Sequence, residues 1–289
     1  MSNLTKRLIT AALGVPAILL VLYLGGIPFL LFILGIMIIS ILEYFDIIAA
    51  TKFKPNKYLI IIGSVVIGIG AYICSFILMF LFTATVIIYM LLQLREDDFT
   101  HVVKMFGIAL FPLIYFGWFL SHGILLRNIG DIGIVSNYSI EKLGLQDPGF
   151  FFLVLVFACT FMNDTGAYFT GKILGINKLS PNISPGKTVE GTIGGLLVSV
   201  VTALLFNLIF SSPLTLIWAI IFGISVGASA VMGDLLESSI KRGGGVKDSG
   251  GIVPGHGGVL DRFDSFFLVF PVAYYLTILF YYFSGVTVY

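Results

Sequence analysis

Residues 238–264 form a polar segment that combines cations, carboxylates, a histidine and many glycines between two apolar runs. Eight of the sixteen residues 243–258 are glycine, and glycine-rich backbone approaches phosphate closely and forms concave anion sites. Arg would add bidentate phosphate contacts and Lys point charges. The cations are Lys241, Arg242, Lys247 and Arg262. A flexible basic loop on anionic lipid is the alternative, but the interleaved acids Asp248, Asp261 and Asp264 oppose it.

Carboxylates flank this segment at two predicted helix ends. Asp234 and Glu237 are three residues apart and lie on nearly one helix face, and Asp261 and Asp264 repeat the spacing. Acids at membrane depth are costly and usually functional, and Mg²⁺ prefers carboxylate oxygens together with substrate phosphates. We therefore predict that Asp234 and Asp261 bind Mg²⁺. In the alternative reading Asp261 only caps a helix and Glu237 is solvated, which leaves Asp234 unexplained.

A second polar group lies at residues 163–191. Asp164 is predicted near the cytoplasmic end of one helix, and Lys187 and Thr188 precede another, whose N-terminal amides favour anions. The sequence Gly186-Lys187-Thr188 resembles the end of a phosphate-binding P-loop. However, Pro181 stands where the earlier glycine is required and no strand is predicted before it, so we reject a P-loop.

Three further titratable residues allow more than one role. His256 could be a general base, a phosphate ligand or a loop-packing residue. Because a phosphate oxygen is already nucleophilic and needs no base, we favour phosphate binding or a structural role. Glu43 and Asp46 lie one turn apart in an earlier helix. They either face a polar cavity or pair with Lys52 or Lys54, and the sequence leaves both possibilities open.

The composition places these residues in a membrane. The 289 residues are 58% hydrophobic and 11% charged, which excludes a soluble globular protein. Apolar runs of bilayer-spanning length recur, and the first shows no convincing cleavage site for a signal peptide. We predict an all-α polytopic integral membrane protein with about nine transmembrane helices, near residues 8–24, 27–49, 57–73, 75–94, 102–125, 149–170, 189–211, 214–236 and 264–284. Nucleic-acid binding is excluded because no basic stripe is interleaved with aromatic residues.

The distribution of Lys and Arg orients the predicted helices. With nine spans and a cytoplasmic N-terminus, fourteen of these cations face the cytoplasm and only Arg127 and Lys142 face outward. If the third and fourth apolar runs formed one span, the chain would have eight spans. All later loops would then change sides, and the excess of Lys and Arg on the cytoplasmic side would be lost. With nine spans, both polar groups lie on the cytoplasmic side. We divide the chain into N-terminal helices (1–100), a middle helix with an outside loop (101–148) and a catalytic region (149–289).

The polar motifs together resemble the phosphatidate cytidylyltransferase (CDP-diacylglycerol synthase) family. From Ser238 to Asp264 the chain follows the family signature of Ser-x-apolar-Lys-Arg, Lys-Asp and Pro-x-His-Gly-Gly-apolar-x-Asp-Arg-apolar-Asp. Val253 precedes the proline where the family more often has Leu, Ile or Phe. The segments 163–168 and 183–191 match as well. The motif match covers residues 163–264, whereas the first 150 residues match only in being apolar.

The resemblance implies a reaction and a set of site residues. CTP and phosphatidic acid would give CDP-diacylglycerol and pyrophosphate for phospholipid biosynthesis, in the inner (plasma) membrane of a prokaryote. The family also implies a homodimer and dependence on Mg²⁺, with room for a second cation. The resemblance places the metal ligands at Asp234 and Asp261, and Asp264 and Asp164 are our second choices as metal ligands or as groups that support them. The candidate catalytic residues are Lys247, Asp248, Asp261, Arg262 and Asp264. The candidate substrate-binding residues are Lys187, Thr188, Lys241, Arg242, His256, Gly257 and Gly258.

Two other functions remain open at this point. A related membrane enzyme could use CTP with a polyprenyl alcohol or phosphate. A secondary transporter also carries intramembrane acids, but it would place them near mid-membrane and would often show an internal repeat.

Overall fold

The structure is a computed structural model that describes residues 3–50, 55–93, 99–130, 147–210, 214–252 and 257–284. Its helices are α1 (Asn3–Leu24), α2 (Gly26–Ile47), α3 (Lys57–Ile73), α4 (Ser75–Gln93), α5 (Phe99–Pro112), α6 (Phe119–Arg127), α7 (Pro148–Leu174), α8 (Val189–Ile209), α9 (Leu216–Gly243) and α10 (Leu260–Phe283). A 3₁₀ turn (Ile48–Ala50) extends α2, and a π-helical segment (Leu113–Trp118) joins α5 to α6.

Long apolar helices confirm the predicted class, an all-α polytopic membrane protein. Within the described ranges, seven helical segments are long and apolar enough to span a bilayer. They are Gly26–Ile47, Ser75–Leu92, Val102–Arg127, Pro148–Leu174, Val189–Ile209, Leu216–Gly243 and Leu260–Phe283. Ala12–Leu24 and Lys57–Ile73 are apolar but shorter. The count of nine spans therefore stays a prediction, although each predicted run overlaps a helix.

The third and fourth predicted runs form two helices rather than one. α3 ends at Ile73 and α4 begins at Ser75, and Cys74 between them has an extended backbone. At the other end of α3, the Asn56 side chain accepts hydrogen bonds from Tyr58 N and Leu59 N. This N-cap satisfies amides that have no partner within the helix.

The chain divides into two compact units, Met1–Leu125 with Ile240–Phe263, and Leu126–Ser239 with Asp264–Tyr289. This is a division of packing, and it does not test the three regions predicted from the sequence. In the first unit the Tyr44 ring lies 5.6 Å from that of Phe111 and 5.8 Å from that of Phe116. A Cβ on Gly117 would lie 2.9 Å from Ser64 Oγ, so α3 and the π-helical segment pack closely there.

In the second unit, small residues let α7 and α8 approach closely. A Cβ on Gly166 of α7 would lie 2.7 Å from Val198 Cγ2, and a Cβ on Gly195 of α8 would lie 2.8 Å from the Asn163 carbonyl oxygen. Small residues at helix contacts are a common means of helix association in membranes. The close packing of α7 and α8 holds the C-terminal end of α7, which we predict to be cytoplasmic, next to the start of α8.

A short antiparallel hairpin precedes α8, with β1 at Lys178–Ser180 and β2 at Ser184–Thr188. Our expectation that no strand precedes Thr188 was therefore wrong. The turn residues Pro181 and Asn182 favour a tight reversal, and β2 continues directly into α8. The rejection of a P-loop is unaffected, because Gly186 and Lys187 lie within the strand itself and not in a loop that encloses phosphate.

Candidate functional site

A cavity of ≈ 470 Å³ in the second unit brings together residues from both ends of the 163–191 group and from α9. Its polar lining includes Asp164, Tyr168, Lys172, Lys187, Thr188 and Asp234. α7 supplies the first three, the β2–α8 junction the next two and α9 the last. The sequence predicted four of these as site residues, and Tyr168 and Lys172 were missed although the 163–168 motif ends at Tyr168.

Lys187 and Asp234, which both line this cavity, form an ion pair. Lys187 Nζ lies 2.6 Å from Asp234 Oδ2, and the two side chains are 24% and 32% exposed. The Ser238 hydroxyl donates to Asp234 Oδ1 over 3.3 Å. The Asp234 carboxylate is thus positioned by protein groups yet stays accessible to a ligand.

Two further carboxylates interact electrostatically with this pair. Asp164 interacts with Asp234 and Lys187, and Asp264 interacts with both and with Asp164. Like charges that interact in this way disfavour one another. A bound cation would reduce the repulsion within the cluster.

The donor chemistry of the cluster fits Mg²⁺ that is shared with a substrate. In the part of the chain that the structure describes, no three His, Cys, Asp or Glu residues are placed to hold a metal ion by themselves. Mg²⁺ usually binds one or two carboxylates and completes its shell with water and substrate phosphates. Asp164, Asp234 and Asp264 offer that donor type. The predicted Asp234–Asp261 metal pair stays a prediction, because these residues belong to different units.

Glu190 anchors the hairpin that carries Lys187. Its carboxylate accepts hydrogen bonds from Ile176 N (3.1 Å), Asn177 N (3.1 Å) and Asn177 Nδ2 (2.7 Å). Thr188 caps α8 by accepting from Gly191 N. Sequence reasoning did not place Glu190 in the site, and only its position within the 183–191 motif indicated a role.

A second cluster lies in the first unit, around Asp261. Asp261 Oδ1 lies 2.6 Å from Lys241 Nζ, and the two side chains are only 6% and 11% exposed. Asp261 Oδ2 accepts from Gly258 N (2.8 Å), Ser249 N (3.0 Å) and Ser249 Oγ (3.1 Å). Asp261 is the second residue of α10, and its partners lie in the preceding loop and at the end of α9. It therefore organises the loop, which is more than the helix cap of the alternative reading.

The start of α10 is held by Glu43 of α2. This carboxylate accepts from Val259 N (2.9 Å), Leu260 N (2.8 Å) and Ser249 Oγ (2.9 Å) and is 3% exposed. Among the described residues, Glu43 thus faces the start of α10 and Ser249, and the pairing with Lys52 or Lys54 that we left open stays untested. Lys52 and Lys54 lie outside the described residues. Asp46 is exposed and lines a separate cavity of ≈ 610 Å³ in the first unit.

The remaining candidate residues differ in exposure. Lys247, Asp248 and Arg262 are exposed, and so is Arg242, whose Nη1 donates to the Val246 carbonyl over 3.0 Å. Gly258 is buried, and Gly257 has a left-handed backbone with φ +85°. His256 lies outside the described residues. Glu237 is fully buried, so the alternative in which it is solvated was wrong. No contact tests the predicted substrate-binding roles, which stay predictions.

Sequence comparisons extend the likeness beyond these motifs. The sequence profile of the cytidylyltransferase family matches residues 5–280. A phosphatidate cytidylyltransferase of Bacillus subtilis is 31% identical over 295 residues, covering 97% of this chain and all of that protein. One from Synechocystis is 31% identical over 95% of this chain and 97% of its own length. One from Staphylococcus saprophyticus is 41% identical over 154 residues, covering 53% of this chain and 58% of its own.

Proposed function

Because this chain belongs to the cytidylyltransferase family, we propose that it transfers the cytidylyl group of CTP to phosphatidate, giving CDP-diacylglycerol and pyrophosphate. The membership confirms the resemblance seen in the motifs and identifies the chain as a nucleotidyltransferase. It also includes the N-terminal helices, which the motif match did not reach. A secondary transporter is correspondingly disfavoured.

The proposed reaction joins two anions. An oxygen of the phosphatidate phosphate forms a bond to the α-phosphorus of CTP, the bond from that phosphorus to the β-phosphate oxygen breaks, and pyrophosphate leaves with the bonding electrons. In transfers of this kind the protein mainly positions the groups and neutralises charge. The site should therefore supply cations that neutralise the phosphates, together with accessible carboxylates that can bind Mg²⁺.

The observation that carries the proposal is the accessible Lys187–Asp234 pair, together with Asp164 and Asp264. We assign these carboxylates to Mg²⁺, which when bound would offset the negative charge of the nucleotide phosphates. Lys187 and Thr188 would contact a phosphate group of one of the two substrates. The open cavity leaves room for such a group beside the pair.

The glycine-rich loop carries further cations. Arg242, Lys247 and Arg262 are exposed, and we assign them to the triphosphate and the leaving pyrophosphate. Lys241 is held against Asp261, which fixes one positive charge beneath the loop. Backbone amides near Gly257 and the side chain of His256 would add phosphate contacts.

The proposed site faces the cytoplasm of a prokaryotic cell. CTP cannot cross a bilayer, and the excess of Lys and Arg in the predicted inside loops supports this orientation. We also propose a homodimer, by analogy with the family. Chemical crosslinking in native membranes tests the dimer, and monomer as the sole species at saturating crosslinker would contradict it.

The decisive experiment incubates the purified chain with Mg²⁺, radiolabelled CTP and phosphatidate in mixed micelles. We expect a labelled liponucleotide and one equivalent of pyrophosphate, neither of which forms without the lipid. A parallel reaction replaces phosphatidate with a polyprenyl alcohol or polyprenyl phosphate. Product in that reaction alone would overturn phosphatidate as the substrate while leaving CTP in place.

A further inference from the structure

Glu43 is a buried carboxylate far from the signature motifs in sequence. It lies in α2 between apolar residues, is 3% exposed, and accepts hydrogen bonds from three uncharged donors. Burying an ionised carboxylate is costly unless it is hydrogen-bonded and its charge is balanced. Two of its donors are the amides of Val259 and Leu260 at the start of α10, where the helix dipole favours an anion. Glu43 therefore fixes where α10 begins.

A single hydroxyl links Glu43 to Asp261. Ser249 Oγ lies 2.9 Å from Glu43 Oε2 and 3.1 Å from Asp261 Oδ2, so its one proton is within reach of both carboxylates. The Ser249 amide donates to Asp261 as well. A shift of the Glu43 carboxylate would therefore displace Ser249 and change the support of Asp261 and its partner Lys241.

The glycine-rich loop is shaped around the same carboxylate. A Cβ on Gly250 would lie 2.7 Å from Glu43 Oε1, and a Cβ on Gly258 would lie 2.5 Å from both Glu43 oxygens. The loop also rests on the end of α2, where a Cβ on Gly244 would lie 2.7 Å from the Ile47 carbonyl oxygen. These glycines are needed because the backbone packs directly on α2.

We infer that Glu43 is a positioning residue of the active centre, which acts through Ser249 and the start of α10 to hold Asp261 and Lys241 in place. This inference rests on the proposed function, because it assigns Asp261 and Lys241 to the reaction. Glu43 itself would touch neither substrate.

The test compares Glu43→Gln with Asp46→Asn, the exposed acid one turn further along α2. Glu43→Gln keeps the size of the side chain but removes its charge and presents an amide nitrogen to the N–H donors. Loss of such outer-shell partners typically lowers activity about 10- to 100-fold. We expect a fall of that size in kcat with KM for CTP and phosphatidate near wild type, while Asp46→Asn keeps wild-type kinetics.

A double variant separates positioning from a general loss of stability. If Glu43 acts in part through Ser249, Glu43→Gln combined with Ser249→Ala should lose less activity than the product of the two single losses. Independent losses that multiply would contradict the inference. If Glu43→Gln does not fold, Ser249→Ala alone decides, with a lowered kcat expected from a protein that stays folded at the assay temperature.

The outcomes distinguish this inference from the proposed function. A wild-type enzyme that makes no liponucleotide would refute the function itself. An active wild type together with a folded Glu43→Gln variant of normal kcat would overturn only the role of Glu43. Normal kcat for Ser249→Ala would likewise remove the link to Asp261.

Discussion

Asp234 in the second unit lines an open cavity, and its partner Lys187 also interacts with two other carboxylates. Asp261 in the first unit instead has a nearly buried side chain that accepts four hydrogen bonds. Asp261 belongs to the signature motif and Asp234 lies four residues before it, and both acids pair with a lysine at 2.6 Å. The difference lies in what surrounds each pair. Two further carboxylates interact with Asp234, while backbone amides and a hydroxyl satisfy Asp261.

This contrast separates two tasks that look alike in sequence. An accessible cluster of interacting carboxylates is suited to exchanging a cation and phosphate during turnover. A closed and satisfied cluster is suited to holding a loop and its cations in one arrangement, which limits reorganisation during the reaction. Removing an acid should therefore have different consequences in the two regions.

The largest effects are expected from Asp234→Asn and Asp261→Asn, each of which should abolish turnover. Asp234→Asn removes a charge that we assign to the metal and to Lys187, and Asp261→Asn removes the partner of Lys241 and of the loop amides. Liponucleotide formation by each purified variant measures the loss, with Asp46→Asn as the active control. Near-normal turnover in either variant would refute its assignment.

Stability should distinguish these two inactive variants. Breaking a buried ion pair typically costs about 3 kcal/mol, so Asp261→Asn should lower the midpoint of thermal unfolding. Asp234→Asn relieves repulsion in an accessible cluster and should leave the midpoint unchanged or raise it. Equal decreases would show that the open and closed clusters are not built differently.

Gly258→Ala should have the next largest effect, since its new Cβ would collide with both oxygens of Glu43. A displacement of about 1 Å at a catalytic group can lower the rate roughly 100-fold. The matched control is Gly243→Ala, because a Cβ there meets nothing within 4 Å. Measurements of kcat/KM for both variants test whether the loop must stay closed on α2, and equal values would contradict it.

Arg262→Lys tests whether the first unit also contacts phosphate. Arg262 follows Asp261, whose side chain is nearly buried, but is itself exposed. If its guanidinium makes a bidentate phosphate contact, the substitution should lower kcat/KM for CTP roughly tenfold. Unchanged kinetics would indicate that Arg262 contributes only its charge.

Glu190→Gln should have the smallest effect on activity. It compares two carboxylates that hold backbone amides in place, Glu190 and Glu43. Glu190 accepts hydrogen bonds from backbone amides that precede the hairpin carrying Lys187, much as Glu43 accepts them from backbone amides that precede Asp261. The hydrogen bonds of Glu190, however, are exposed to solvent. Water can replace much of what is lost, so we expect about a two- to threefold rise in KM. A loss as large as that of Glu43→Gln would show that burial does not set the importance of these anchors.

Much of the site could be predicted because its motifs are local. The 183–191 segment placed Lys187 and Thr188 before a helix, and Thr188 is indeed the N-cap of α8. The hairpin before it was missed because three- and five-residue strands leave little periodic signal. Glu43 was left open because its partners, Val259 and Leu260, are 216 and 217 residues away.

The sequence by itself determined that this chain is a helical membrane protein of the cytidylyltransferase family, because apolar run length and motif spacing are properties of the linear chain. Only the tertiary structure decided which acid each lysine pairs with, Asp234 for Lys187 and Asp261 for Lys241. It also decided that α2 supports the glycine-rich loop. Such contacts depend on how helices distant in sequence pack together, and hydrophobic patterning does not specify that packing.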